Sequence, residues 1–523
     1  MTSFPLLIPT MSPSKSWFSF LPPLFLALSL LGVYLGTIAP GLTWANAGSD
    51  GGDLIVAAAT GGIPHPTGYP LYLLLARIFQ LLPVGSLAFR TNLMSAIFTA
   101  LAAVLVYLIM TRSIFAPKAF QSWLPGMAAG YAFGLAPLVW SQAVITEVYA
   151  LQAFLVALIL YLYTQPAHPP APAQKRLDCW RGLLLGLAMG NHLTTLLLVP
   201  AAFLVGSFHR QVNSDEIPHP RPGRFGNLQL DGHSIRRQSV WFGIGLLVYL
   251  VIPLRALAHS PVNWGNPVTF ERFWWLVSGQ LYQSYYLQIS LPEFWERLQV
   301  LAALLIQQSG LLGLVLGLVG LVIFGKLSRL YFFTVWTAFV SIAFTAIYGS
   351  ADFYVYLIPM FVSFAIWIGL GIAGLIRQIP QRFSVLGLGL GLLLIGYLTV
   401  RSVTQVSQVD ASHDLRAESF AGEVLDAAPK DAIIFAKGDQ AVFALWYYRF
   451  ALKERPDLIV LATDLLHFDW YQENLSLTYP VLVVPGPFPW PETIAGANPL
   501  RAICYVQFFD HTELDCSPPL SSP

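Results

Sequence analysis

Two carboxylates, Asp50 and Asp53, stand close together in the run Asp50-Gly51-Gly52-Asp53-Leu54, and a second polar run, Gly61-Gly62-Ile63-Pro64-His65-Pro66-Thr67-Gly68-Tyr69-Pro70, follows them. Both come after Trp17 to Leu42, an apolar stretch without a charged residue. Ionisable groups at the edge of hydrocarbon are functional candidates by default. A carboxylate within hydrogen-bond reach of an attacking hydroxyl can take its proton in the transition state, and Asp50 is placed for that role with Asp53 beside it. A phosphate leaving group needs positive charge or backbone N–H donors. Arg255, Arg77, His65 and His192 are the available candidates. The flanking glycines let the backbone turn tightly and approach a ligand. The plainer reading of the same residues is a solvated turn between a helix and an amphipathic segment.

Other polar residues offer an acceptor or sugar site. Glu147, just before Tyr149, holds a metal or an acceptor, or else marks a helix start. Asn191 and His192 break an apolar segment, as ligands or as caps of two short helices. Trp264, with Asn263 and Asn266, stacks on a sugar or prenyl chain, or only anchors the chain at the interface. Tyr69 completes the set, and Asp352, at a helix junction, reads as a group that supports the site from behind. A divalent cation is a candidate cofactor, with its ligands undetermined. Three cysteines without zinc-type spacing define neither a disulfide framework nor a zinc site.

The elements that must position these groups are set by composition. Of 523 residues, 56% are apolar and 11% charged, with a mean hydropathy of +0.62, where a soluble domain is about a quarter charged. The chain is expected to be a polytopic α-helical membrane protein. Its net charge of +1 gives no reason to expect nucleic acid. Ala45-Asn46-Ala47 has the form of a signal-peptidase site, but the Trp17–Leu42 run is long enough to span, which takes about 20 residues, so it reads as a retained first helix.

Apolar segments at 87–110, 126–140, 149–163, 240–257, 300–324, 330–348, 354–376 and 383–400 follow, with Tyr69 to Leu82 too short to span. The 182–205 segment is ambiguous. Arg210, Arg221, Arg224, Arg236 and Arg237 fall between 207 and 237, and basic loops face the cytoplasm. A break at Asn191-His192 keeps every basic loop on one side, giving about eleven crossings of the usual length, with the N-terminus inside and the C-terminus outside. Lys118, Lys175, Arg176, Arg181 and Lys326 then lie inside, and the Pro-rich stretch 168–173 is a linker. The expected domains are a transmembrane unit, 1–400, with a first outer loop at 43–86, and a small extracytoplasmic α/β domain, 401–523. In the latter, 432–436, 439–452 and 457–463 read as strand, helix and strand. Cys504 and Cys516 fall where oxidation is permitted.

With this topology the polar groups collect on the outer face, and no internal repeat is found. A transporter would instead place ionisable groups near the midplane, often on broken helices of matched repeats. A site open to lipid and to water suits chemistry between a lipid-borne substrate and a soluble one.

Several motifs, in order over about residues 17 to 355 and more weakly beyond, carry a resemblance: Asp50-Gly51-Gly52-Asp53-Leu54, His65-Pro66-Thr67-Gly68-Tyr69-Pro70-Leu71-Tyr72, Arg90-Thr91-Asn92, Glu147-Val148-Tyr149-Ala150-Leu151, Gly190-Asn191-His192-Leu193-Thr194 and Asn263-Trp264-Gly265-Asn266-Pro267. Together they resemble unknown-function domain family 2723, which includes an animal transmembrane O-mannosyltransferase and belongs to the GT-C superfamily of polyprenyl-phosphate-sugar-dependent glycosyltransferases. The resemblance implies Asp50 as the catalytic base and Asp53 as its neighbour, in place of the family's glutamate. It implies a polyprenyl-phosphate sugar donor in the membrane lipid, a hydroxyl-bearing protein or glycan acceptor, and inversion at the anomeric carbon. Relatives that transfer aminoarabinose or mannose have Lys-Pro-Pro-Leu where this chain has Gly68-Tyr69-Pro70-Leu71, so their phosphate-binding lysine is missing and His65 or an arginine must stand in. The expected location is a bacterial inner membrane. The rivals are a lipid or solute transporter and an inactive scaffold whose outer domain binds a partner.

Overall fold

The computed structural model describes residues 20–113, 123–163, 171–210, 228–286, 288–323, 329–487 and 489–519. Lys15, Lys118, Arg221, Arg224, Lys326 and residues 168–170 lie outside the described residues.

Among the described residues, six helices are long and apolar enough to cross a membrane: Leu87–Thr111, Gly232–Ala256, Leu291–Ile323, Arg329–Ile347, Phe353–Gln378 and Ser384–Val403. The expected count of about eleven is not reached by that measure, because several apolar segments are cut short. The first helix is Leu21–Leu35, 15 residues, or about 22 Å at 1.5 Å per residue. It stops at Gly36, well before Leu42, and residues 36–50 become part of the connection to helix Gly51–Thr60. The 126–140 segment is divided between helices Trp123–Gly134 and Pro137–Ala143, since Pro137 cannot continue a helix hydrogen-bond ladder.

The break expected at Asn191-His192 is present. Helix Ala171–Met189 ends there, and the His192 side chain accepts from Thr194 N to cap the 3-10 turn Leu193–Leu198, which runs into helix Val199–Ser207. The stretch holding Lys175, Arg176 and Arg181 is helical rather than a loop. Arg181 is buried and donates to the Leu162 carbonyl, while Asp178, also buried, accepts from Arg237 at 2.7 Å. Helix Leu291–Ile323 begins before the expected 300–324 segment and bends at Gly310, whose φ of +69 ordinary side chains rarely adopt.

Residues 406–517 form a layer of different composition. Its sheet runs Ile459–Ala462, Ile433–Lys437, Ile503–Phe508, Thr512–Ser517, the first three parallel and the last antiparallel. The strand–helix–strand unit expected over 432–463 is there, with helix Asp439–Trp446 between the parallel strands. Ile433 to Ala436 are buried throughout, as a strand covered on both faces requires. Cys504 and Cys516 are direct partners in the antiparallel pair and are joined by a disulfide.

This layer is laced to the first outer loop. Asp414 Oδ2 accepts from Thr43 Oγ1 at 2.6 Å, Trp44 N at 2.9 Å and Ala45 N at 2.7 Å, and Asp414 Oδ1 accepts from Arg416 Nε at 2.6 Å. Trp44 packs on Phe508 and Phe420 with ring centroids 4.4 and 5.4 Å away. Burial alone would raise the Asp414 carboxyl, but the bonds from Arg416 and Thr43 outweigh it and hold it at about 2. A depressed carboxyl contributes stability that is present above its unfolded value and is lost as pH falls through the folded one. Asp414→Ala leaves buried donors unpaired and is expected to cost about 2–4 kcal/mol, read as a lower thermal midpoint of the purified protein at pH 7. The difference from wild type should shrink as pH drops from 4 toward 2, where the wild type loses the same interaction.

Candidate active site

Helix Gly51–Thr60 begins at Asp50, which has helical dihedrals and makes no capping bond with its side chain. Its carboxylate is free of capping duty and accepts from Ser49 Oγ at 3.3 Å. Asp53 lies one turn on, on the same side of the helix, and the two face His65 from either edge of the ring.

Asp53 is fully buried, and three donors converge on it. Oδ2 accepts from His65 N and from His65 Nδ1, both at 2.8 Å, and Oδ1 accepts from Trp264 Nε1 at 3.2 Å. On the far side of the ring, His65 Nε2 lies 3.5 Å from Asp50 Oδ2 and 3.2 Å from the Tyr69 hydroxyl. Asp50 keeps 36% of its side chain exposed. That openness is into a cavity of about 1050 Å³.

The cavity brings together Asp50, His65, Tyr69, His192 and Asp352 of the expected residues. Tyr149, Tyr282, Tyr348 and Tyr356 add an aromatic wall, with Tyr348–Tyr356 and His192–Tyr356 centroids 5.2 and 5.7 Å apart. One flank is apolar, through Leu193, Leu196, Leu197, Phe344 and Ile347; the other is polar and comes from the C-terminal layer, through Lys437, Gly438, Asp439 and Gln440.

Other expected residues fall outside the cavity lining. Trp264 is buried against Asp53 and offers no free face for a sugar. Asn266 donates to Glu473 of the C-terminal layer, which also takes both arms of Arg272. Asn191 is buried and donates to Val148 O and Gln152 Oε1, tying the helix break to its neighbour. Arg255 is spent on the carbonyls of Ala57 and Gly62, and Arg77 is exposed on the outer side of helix Pro70–Gln80; neither lines the cavity. Glu147 is buried just behind the lining, where burial first, then Asp50 and Asp352, push its carboxyl well above the ordinary range.

The glycines also do a different job from the one expected. A Cβ on Gly52 would lie 2.5 Å from the Phe443 carbonyl oxygen, and one on Gly62 would lie 2.2 Å from that of Val262. Both close approaches are to the chain's own backbone, not to a ligand. At Gly62 this allows the pairing of Ile63 N with Val262 O and of Trp264 N with Ile63 O, which brings the Trp264 indole to Asp53.

Electrostatics separate the groups. Burial opposes charge on His65, but Asp50 and Asp53 overcome it and raise its pKa to about 9. Burial and the charge of His65 push His192 down to about 4. Burial raises Asp50, reinforced by Asp352 and Asp53 and opposed by His65, so it is a stronger base than an ordinary aspartate. Asp439 is pushed up to about 6, by burial first and then by Asp50; water reaches it within the cavity, but the walls remove much of its bulk solvation. Among the described residues, no three His, Cys, Asp or Glu side chains converge as a metal set, and no step below runs through a cation.

Sequence reasoning missed Lys437, Asp439 and the tyrosines at 282, 348 and 356. A signal was available for the first two: Lys437-Gly438-Asp439 is where a parallel strand ends and a helix begins, and ligand crevices in such sheets lie at the carboxyl ends of strands.

The His65 shift has a testable consequence. A raised histidine pKa contributes stability in full below its unfolded value of about 6.5, which is lost as pH rises through about 9. The thermal midpoint of the wild-type protein should therefore fall between pH 7 and 10. In His65→Gln it should start lower, and that part of the pH dependence should be gone.

Residues 50–215 match the family model described as the Protein O-mannosyl-transferase TMEM260 N-terminal domain, and residues 417–480 match TMEM260-associated domain 2. The Protein O-mannosyl-transferase TMEM260 of Mus musculus is 25% identical over 465 residues, covering 84% of this chain and 62% of that protein. Its counterpart in Dictyostelium discoideum is 22% identical over 497 residues, covering 84% of this chain and 57% of that one. The chain thus spans about three fifths of the length of the curated relatives it matches. Among solved structures, ArnT from Cupriavidus metallidurans bound to undecaprenyl phosphate superimposes with a TM-score of 0.58 at 13% identity, covering 94% of this chain and 93% of ArnT. That likeness extends through both the membrane helices and the C-terminal layer, and it establishes the fold. The chain is similar to the TMEM260 proteins over the two matched stretches and shares the fold of ArnT.

Proposed function

We propose that this protein is a membrane glycosyltransferase that takes a sugar from a polyprenyl-phosphate donor and passes it to a hydroxyl-bearing acceptor, with Asp50 as the base. The observation that carries this reading is the position of Asp50. It is the one carboxylate of the Asp50–His65–Asp53 group left without a saturating set of donors, and it opens into a cavity with an apolar flank and a polar one. The apolar flank, with Leu196 half exposed beside it, suits a prenyl chain arriving from lipid. The polar flank suits a soluble acceptor. The names of the relatives, protein O-mannosyl-transferases, point to mannose and to a protein hydroxyl.

In this reading Asp53 does not exchange protons with substrate. Its lone pairs are committed to His65 and Trp264, so it fixes the ring and keeps Nδ1 protonated. His65, charged at neutral pH, sets the orientation of Asp50. Asp50 takes the proton of the acceptor hydroxyl as that oxygen attacks the anomeric carbon; the carbon–phosphate oxygen bond breaks on the opposite face, and the phosphate leaves with the electron pair. Direct displacement of this kind inverts the anomeric centre. The tyrosine wall gives sugar and prenyl groups flat surfaces to pack on.

A transporter reading has less support, because the clustered ionisable groups lie at the mouth of the helix bundle against the C-terminal layer. We further infer that the short helices, including Leu21–Leu35 and Tyr149–Tyr163, complete about eleven passes of bilayer length with their neighbours, that residues 1–400 form the membrane unit, and that residues 401–523 lie outside the cytoplasm. The relatives come from Mus musculus and Dictyostelium discoideum, both eukaryotes, and lend no support to a bacterial inner membrane.

Two measurements test this. Reporter fusions within the segment 207–237 and just after Thr463 should report opposite sides of the membrane; the same side for both overturns the topology. Asp50→Asn keeps the shape of the side chain and removes most of its basicity, so transfer from a synthetic prenyl-phosphate mannose should fall about 10²–10⁴-fold, in turnover rather than in donor affinity. Asp53→Asn should lower activity through a misoriented ring and should also lower the thermal midpoint, whereas Asp50→Asn should not. Near-normal turnover in Asp50→Asn returns the loop to a structural role.

A further inference from the structure

Among the residues lining the main cavity, Lys437 is the single lysine or arginine. It is the last residue of strand Ile433–Lys437, at the rim of the C-terminal sheet, and its side chain is exposed. The backbone turns away directly after it, since Gly438 has φ of +82 and donates its N–H to Asp464 Oδ2 at 3.1 Å. That turn fixes Lys437 at the cavity wall while the chain continues into helix Asp439–Trp446. The arginines expected to meet phosphate are placed elsewhere: Arg255 is bonded to two carbonyls and Arg77 faces outward.

The cavity is otherwise acidic, with Asp50, Asp352 and Asp439 on its walls. A phosphate monoester or diester entering it is repelled by each of these and attracted by His65 and Lys437 alone among the lining side chains. His65 is held between two carboxylates, which already neutralise it. Lys437 has no ion pair of 4.0 Å or less among the described residues. We propose that Lys437, delivered by the C-terminal layer, is the phosphate-binding residue for the donor, so that the site is complete only when that layer is docked on the membrane unit. This rests on the transferase reading and specifies the donor side of it.

The docking is rigid at this point. Gly52, between Asp50 and Asp53 in the first turn of helix Gly51–Thr60, lies against the Phe443 carbonyl of the helix that follows Lys437. The two sides of the proposed reaction, the base and the phosphate cation, are therefore held by one packed contact between the two layers. Lys437 also borders a groove of about 520 Å³ over the sheet, lined by Glu513 and Asp515. An ammonium turned into that groove would pair with those acids and leave the phosphate unserved, which gives the proposal a definite way to fail.

The test uses the full chain in phosphatidylcholine nanodiscs, with undecaprenyl phosphate, undecaprenol and inorganic phosphate as probes. Wild type should bind undecaprenyl phosphate more tightly than undecaprenol. Lys437→Ala should weaken undecaprenyl phosphate about 10–100-fold, the usual loss for one hydrogen bond to a charged group, with undecaprenol and the thermal midpoint unchanged. Lys437→Arg should recover most of the affinity, and added salt should weaken wild type more than Lys437→Ala. Inorganic phosphate that competes in wild type and not in Lys437→Ala assigns the residue to the phosphate rather than to the prenyl chain. If Lys437→Ala fails to fold, Lys437→Gln, which keeps the stem, carries the same comparison. Equal undecaprenyl phosphate affinity in wild type and variant, with wild type still preferring it to undecaprenol, overturns the role of Lys437 and leaves the transferase reading standing. A wild type that does not distinguish undecaprenyl phosphate from undecaprenol overturns both.

Discussion

A fully buried carboxylate, Asp53, is the constraint on which the site depends. Taking such a charge out of water is unfavourable by several kcal/mol unless its lone pairs are met, and here they are met by His65 N, His65 Nδ1 and Trp264 Nε1. Three separate pieces of chain must therefore converge: the first turn of helix Gly51–Thr60, the His65 loop, and the segment around Trp264. The backbone pairing of Ile63 with Val262 and Trp264 holds the last two in register. Asp50 is then placed by the helix itself, one turn before Asp53 and free of capping duty.

A second convergence brings the C-terminal layer onto this frame. Asp414 satisfies the Trp44 and Ala45 amides of the first outer loop, Asn266 and Arg272 meet Glu473, and Asn474 donates to the Pro261 carbonyl. Each contact pairs groups that would otherwise be stranded at a loop surface. The cavity lies along this seam, which is why one flank is built from apolar helix ends and the other from the end of a strand. A cavity of this form is made by two layers, neither of which holds the acid, the histidine and the lysine together.

The motifs that carry the family resemblance do two different jobs, and their residue types do not tell the jobs apart. Asp50, His65, Tyr69 and His192 face the cavity. Arg90 and Asn92, from the same set of motifs, are scaffold: Arg90 donates to the carbonyls of Gln80 and Val84, and Asn92 to Ala39 and Gly41 while accepting from Thr146. Trp264 and Asn191 read as sugar contacts for the same reason that they read as interface anchors. An indole N–H and a side-chain amide are useful to any buried acceptor, and only geometry names which one.

From its residues alone this chain determined its class, the long apolar helices, the break at Asn191-His192, the strand–helix–strand unit after residue 431, and the concentration of polar groups in the Asp50–His65 stretch. These are local properties: hydropathy over a bilayer's length, a polar pair inside an apolar run, and period-bound burial are all written in adjacent residues. Tertiary structure alone decided that Leu21–Leu35 stops short, that Arg77 and Arg255 lie outside the cavity, and that Asp53 is saturated while Asp50 is open. It also placed Lys437 across the cavity from residues nearly four hundred positions earlier in the chain. Those outcomes depend on which donor reaches which acceptor first and most closely. Hydrogen-bond saturation and charge balance in a cavity are sums over neighbours from distant segments, and the sequence does not contain the distances.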